Sequence, residues 1–319
     1  MSFSFRCKIV MLLALSASIL CGCISNDQQA SPEETAKVNV VASTVPLGTF
    51  ASMVGGDRAT VTVLIPPGTS PHTFEPSPSQ LADVEDADLY IKNGAGLEIW
   101  MERMIQANQD MLVVDASSGI DLIESTDADD HGTDHGGHLG DGGQLGYHGD
   151  GVDETILTAD PHIWLSPRNA MIIVDNICDG LVEVDPENAE YYRENRDAYL
   201  DQLSDLDRDL NSTFSEFGGK EFIVLHPSWS YFARDYGLVQ VAILEEDKEP
   251  GPRYIADIVE VAREKNITTI FVDENFNPKS AQIIAEEIDG RVVPTDPLAE
   301  DYIPNMRRVG QAIAESMKG

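Results

Sequence analysis

The chain has 319 residues, enough for two domains of ordinary size and a substantial core. Hydrophobic residues make up 42% and charged residues 24%, so most of it should fold rather than stay disordered. With 55 Asp+Glu against 21 Lys+Arg, the formal net charge of −34 excludes nucleic acid as a partner, because phosphate binding needs clustered cations. The acid excess suits a cation ligand, although a surface adapted to high salt would carry the same bias.

In chain order, residues 1–22 read as an export signal. Arg6 and Lys8 precede an apolar run over 9–20, shorter than the about 20 residues that span a bilayer. The run Leu20-Cys21-Gly22-Cys23 resembles a lipoprotein cleavage box. Cys23 is therefore the expected lipid acceptor, and the mature protein should sit outside the cell membrane, anchored to its outer face. Residues 23–37 are polar and read as a tether. Cys7 and Cys21 leave with the signal, so the four Cys supply neither a disulfide framework nor a Cys zinc site, and Cys178 reads as a small core residue.

From residue 38 strand and helix patterns alternate. Strands are expected at 38–43, 60–65, 89–92 and 111–114, with helices at 47–54, 78–86 and 96–108, inside an N-terminal lobe over 38–166. A C-terminal lobe over 187–319 repeats the style, with strands at 221–225, 239–244, 268–272 and 291–293. Its helices are expected at 228–236, 252–265, 278–288 and 304–317. This alternation predicts an α/β fold of two parallel-sheet lobes. Between the lobes, Ser166-Pro167 supplies an N-cap and a first-turn proline, and Ala170, Ile173, Val174, Ile177 and Leu181 share one helical face. Asp185-Pro186 stops that helix, and a second one over 187–216 carries Tyr192, Tyr199, Leu203, Leu206 and Leu210 on one side. The helix at 167–186 is read as a long, rigid linker, so motion between the lobes should be small.

Residues 125–153 differ in composition, with nine Gly, seven Asp and four His and almost nothing to bury. Such a segment cannot offset its chain entropy and is expected to be a loop, unusually long for a compact domain. It holds His131, His135, His138 and His148. The remaining His of the seven, His72, His162 and His226, each stand at or beside an expected strand end or element boundary, where α/β sheets present ligand-binding groups. Their separations are too wide for a local motif, so only the fold could bring them together. Read alone, His226 could cap a strand, and Asp296-Pro297 is a turn signature.

The contexts of these residues carry more. The segments PHTFEPSP around His72, DPHIWLSP around His162, LHPSWSYFARDYGL around His226 and VDENFNP over 272–278 occur in one order. Together they resemble the ZnuA/TroA-like solute-binding proteins of ABC importers for zinc and manganese, over nearly the whole chain from about residue 38. The segment VPTDPL over 293–298 matches the place where that family puts an acidic ligand after its last strand. The resemblance implies a metal site in the cleft between the lobes, with His72 and His162 from the first lobe, and His226 and Asp296 from the second, as ligands. It implies an ABC permease and its ATPase as partners of a lipid-anchored monomer with no enzymatic activity. The His of 125–153 sit in a segment too flexible for one preorganised site, so weaker, secondary zinc binding is expected there; the resemblance points the same way, and a solubilising acidic loop with incidental His is the alternative. The third-position carboxylate usual for manganese is absent, because residue 226 is His.

Three imidazoles and one carboxylate suit Zn2+, which takes N and O donors in a tetrahedron at about 2.0–2.2 Å. Mn2+ prefers more oxygen ligands, and it or ferrous iron is the alternative cargo. Asp273 and Glu274 are neighbouring choices for the acidic ligand, and Glu75 and Asp160 are either acceptors for imidazole N–H groups or solvated acids. A zinc hydrolase would need an open ligand position and a general base, and the sequence has neither HExxH nor GxSxG. A receptor for a siderophore or cobalamin would need aromatics and Arg around a bulky ligand.

Overall fold

The structure, a computed structural model, describes residues 37–98, 101, 108, 110–124, 159–244 and 250–318. The export signal, Cys23, the tether, the His-bearing segment 125–153 and most of the helix expected at 96–108 lie outside the described residues.

The first lobe runs β1 (Val38–Ala42), α1 (Val45–Gly55), β2 (Ala59–Val63), α2 (Pro78–Glu85), β3 (Leu89–Lys92) and β4 (Leu112–Asp115). Two helices follow, α3 (Pro167–Val184) and α4 (Ala189–Phe214). The second lobe runs β5 (Glu221–Val224), α5 (Ser230–Asp235), β6 (Val239–Ala242), α6 (Pro252–Lys265), β7 (Thr269–Asp273), α7 (Lys279–Glu287), β8 (Arg291–Thr295) and α8 (Tyr302–Ser316). Every strand pairing within these sheets is parallel, and the two sheets share one topology, β2-β1-β3-β4 and β6-β5-β7-β8. The strands fall within a residue or two of the expected positions, because short β-branched runs bounded by turns mark buried parallel strands.

Alternation along the strands sorts the core into three layers. Val38, Val40 and Ala42, Leu89 and Ile91, Phe222 and Val224, and Phe271 all face one continuous apolar cluster that also takes in α1, α3, α4 and α8. The opposite faces point outward to separate clusters. Val41 and Tyr90 meet Leu64, Phe74 and Val84, while Ile223, Leu225, Ile270 and Val272 meet Ile258, Val259 and Ile284. Both lobes thus share their central core.

The linking helix falls one element later than the sequence reading placed it. The helix at 167–186 forms as expected: Pro167 opens it, and the Asn169 N–H donates to the Ser166 hydroxyl at 3.0 Å. Its apolar stripe, however, lies on β3, β4 and α1, so α3 belongs to the first lobe. α4 is the helix that touches both lobes, packing on α1 and α3 and also on α8. Its Tyr199 ring meets Phe50 of α1 at 6.1 Å, and its Phe214 ring meets Phe232 of α5 at 5.5 Å. Among the described residues no helix is long and apolar enough to cross a membrane.

Candidate metal centre

All three framework histidines stand beyond the carboxyl ends of strands, the edge where open α/β sheets present ligands. His72 lies in the proline-rich segment after β2. Turns closed by Thr69 N–H to Pro66 O and Thr73 N–H to Ser70 O shape that segment, and buried Phe74 pins it to the outer cluster of the first lobe. His162 follows β4 through the segment outside the described residues, whose flanks are joined. Glu124 and Ala159 form an antiparallel bridge, and the Asp160 N–H donates to Ile123 O at 2.8 Å. A short 3-10 turn, Ile163–Leu165, then buries three apolar side chains and fixes His162 at its start. His226 comes two residues after β5, with Phe276 stacked on its ring at 4.6 Å and 17°.

These side chains converge from both lobes. Nε2 of His162 lies 3.3 Å from Nε2 of His72 and 3.2 Å from Nε2 of His226. An ion about 2.0–2.1 Å from each nitrogen at tetrahedral angles would set them about 3.3–3.4 Å apart. The two spacings from His162 therefore match edges of a tetrahedral coordination shell, and the ligand atoms of all three residues lie within 4.8 Å of one another. His162 and His226 are buried while His72 is exposed, so the cluster has one side open to solvent.

Asp160 settles the orientation of His162. Its Oδ1 accepts both the ring Nδ1–H at 2.8 Å and the backbone N–H at 2.9 Å of His162. With the proton held on Nδ1, the Nε2 lone pair faces the cluster. Burial pushes the Asp160 carboxyl up, but the adjacent His162 and its hydrogen bonds outweigh that and hold it below its ordinary value. Across the lobe boundary, the Tyr231 hydroxyl donates to the Asp160 carbonyl at 2.7 Å. Glu75, the other acid considered as an acceptor, is exposed.

The acidic candidates occupy different positions. Asp296 directly follows β8, and its carboxylate is not among the atoms that converge; Oδ1 accepts the Leu298 N–H at 2.9 Å. Its neighbours Pro297 and Leu298 line the cavity around the three His. Asp273, the last residue of β7, also lines it, but its carboxylate accepts hydroxyl protons from Thr295 at 2.7 Å and Ser228 at 3.1 Å. Burial raises its pKa. Glu274 is exposed.

The cavity measures about 20 Å³. That is room for one ion or water, far below the about 300–1,000 Å³ of organic-ligand pockets. Trp164 closes one wall: its Nε1 donates to the Pro297 carbonyl at 2.7 Å, and its own carbonyl accepts the Tyr302 hydroxyl at 2.7 Å. Trp164 and Tyr231 are both buried aromatics. Their bonding across the lobes, to partners 133 and 71 residues away, left no local signal.

Two parallel-sheet lobes on a shared helical core, the first giving two imidazoles and the second one to a one-ion cavity, define a two-lobed metal-binding architecture. The chain belongs to the family described as zinc-uptake complex component A, periplasmic (ZnuA), whose model matches residues 40–316. It is 32% identical over 289 residues to the high-affinity zinc uptake system protein ZnuA of Bacillus subtilis (strain 168), covering 88% of this chain and 85% of that one. It is 30% identical over 321 residues to the zinc-binding lipoprotein AdcA of Streptococcus pneumoniae (strain ATCC BAA-255 / R6), covering 97% of this chain and 61% of AdcA. The chain thus spans about three fifths of the length of that relative. The crystal structure of a 138–173 deletion mutant of ZnuA with zinc bound superposes with a TM-score of 0.76 at 35% identity, covering 88% of this chain and 98% of that one.

Proposed function

We propose that this protein is an extracytoplasmic, lipid-anchored solute-binding protein that captures Zn2+ and delivers it to an ABC-type permease and its ATPase. The observation that carries the reading is the spacing of three imidazole Nε2 atoms, drawn from both lobes, around a cavity of about 20 Å³. A cavity of that size takes a bare ion, which argues against a siderophore or cobalamin and against a hydrolase substrate. In this reading Asp296 turns from the Leu298 N–H to become the fourth ligand. The charges then balance: two from Zn2+ against one each from Asp296 and Asp160, with the imidazoles neutral.

Three nitrogens and one oxygen favour zinc over manganese, and the names of the relatives support the same cargo. The strongly negative chain raises the local cation concentration, and the ion enters past exposed His72. The four His of 125–153 would act as a weaker gathering site, since the chain leaves the described residues at Glu124 and returns at Ala159, its bridge partner, next to Asp160. Its deletion should lower zinc stoichiometry while leaving the high-affinity site intact. The test of the reading is elemental analysis of protein purified without added metal, followed by competitive titration with Zn2+ and Mn2+. One tightly held zinc per chain is expected, and tighter binding of manganese would overturn the choice of cargo.

A further inference from the structure

Asn93 follows β3 directly, is fully buried, and lies outside the cavity. Its backbone N–H donates to Glu98 Oε1 at 2.5 Å, and the next N–H, of Gly94, donates to Glu98 Oε2 at 3.1 Å. One buried carboxylate therefore closes the turn over 93–98. Gly94, Ala95 and Gly96 hold φ values of 75°, 49° and 77°, a left-handed run that persists only where its surroundings fix it. A Cβ at Gly94 would run into the side chains of Asp115 and Ser117, so the turn is also seated tightly on the end of β4.

The side chain of Asn93 then reaches out of this anchored turn. Its Nδ2 donates to the Pro161 carbonyl at 2.9 Å, 68 residues away, and to the Gly94 carbonyl at 3.1 Å. The Pro161–His162 peptide is thus gripped at both ends: Asn93 holds its C=O, which also accepts the Ile163 N–H at 2.8 Å, and Asp160 Oδ1 holds its N–H at 2.9 Å. A peptide fixed in this way cannot rotate, and the His162 imidazole projects from the next Cα.

We propose that Asn93, locked by Glu98, is a positioning residue for metal capture that holds the Pro161–His162 peptide so that His162 Nε2 stays at coordination distance from His72 and His226 before the ion arrives. Preorganisation of this kind removes an ordering cost from binding. The inference rests on the zinc-capture reading. It adds a part of the first lobe that touches no ion.

The test compares Asn93→Ala and the isosteric Asn93→Asp, which keeps the shape but loses the donor, with Asn176→Ala. The Asn176 amide likewise holds backbone carbonyls, those of Ala116 and Ser118 at 3.3 and 3.0 Å, in a loop that supplies no ligand. Each full-length variant is titrated with zinc against a competing chelator, its metal-free Tm is recorded, and hydrogen exchange of the His162 amide is followed without metal. Both Asn93 variants should lose about tenfold or more in zinc affinity, the range for outer partners of metal ligands, and should exchange the His162 amide faster. Asn176→Ala should lower Tm without moving either readout. Asn93 variants that keep wild-type affinity, or lose no more than Asn176→Ala at a matched fall in Tm, overturn the proposal. A wild-type chain that took up no zinc would count against the capture reading instead, and the metal-free exchange rates would still decide the positioning role.

Discussion

Replacing Asp160 by Ala should weaken zinc binding without moving any ligand in the sequence. A single oxygen of this buried carboxylate, Oδ1, accepts two N–H groups of His162 at 2.8 and 2.9 Å. A hydrogen bond to a charged group contributes about 1.5–3 kcal/mol, and each 1.4 kcal/mol is about tenfold in affinity. Losing the ring bond frees the imidazole to rotate and to move its proton to Nε2, the atom that must bind the ion. The expected loss is therefore about 10–100-fold, with Asp160→Asn nearer tenfold because its amide oxygen can still accept both protons, though without the negative charge. Competition against a chelator of known zinc affinity at neutral pH measures this directly. An Asp160→Ala protein with wild-type affinity would refute the argument that His162 is oriented through Nδ1.

Burial pushes the Glu98 carboxyl above its ordinary value, so the fold favours its neutral form. That contribution to stability is full below about pH 4.3 and is lost as pH rises through the folded-state value. Glu98→Gln should therefore lose less Tm than wild type as pH rises from there towards neutrality, and parallel profiles would contradict the assignment. Trp164→Phe keeps the buried ring but deletes the 2.7 Å bond to the Pro297 carbonyl, at a cost of about 1–2 kcal/mol in denaturant unfolding. Zinc affinity should fall with it, because that bond steadies the loop bearing Asp296; unchanged affinity would separate Trp164 from the site. Because one apolar cluster runs through both lobes, solution scattering with and without zinc should nearly superpose, and a wide closure would contradict the shared core.

The strand positions were legible because each buried strand is a short apolar run between turns, and the start of α3 because Ser166-Pro167 marks it; the order of the strands within each sheet came only with the fold. The three histidines were legible from their positions at strand ends and from motif context. Which helix joins the lobes was not. Both α3 and α4 carry apolar stripes, and a stripe says that a helix is buried without saying against what. α3 spends its stripe on β3 and β4, and Gly180 allows the close approach, since a Cβ there would strike Val114. Glu75 and Asp160 looked alike in the sequence as acids next to ligand candidates. Burial separates them, because only Asp160 is enclosed with the imidazole it orients. The bonds from Tyr231 to Asp160 and from Trp164 to Pro297 join residues with no sequence relation, so only the fold reveals them.

The most direct test of the central claim is a crystal structure of the zinc-loaded protein with anomalous differences recorded across the zinc absorption edge. One dominant peak per chain is expected, about 2.0–2.1 Å from Nε2 of His72, His162 and His226, with a carboxylate oxygen of Asp296 turned in as the fourth ligand. A dominant peak away from these imidazoles, or one at them closed by Asp273 or Glu274 in place of Asp296, would contradict it.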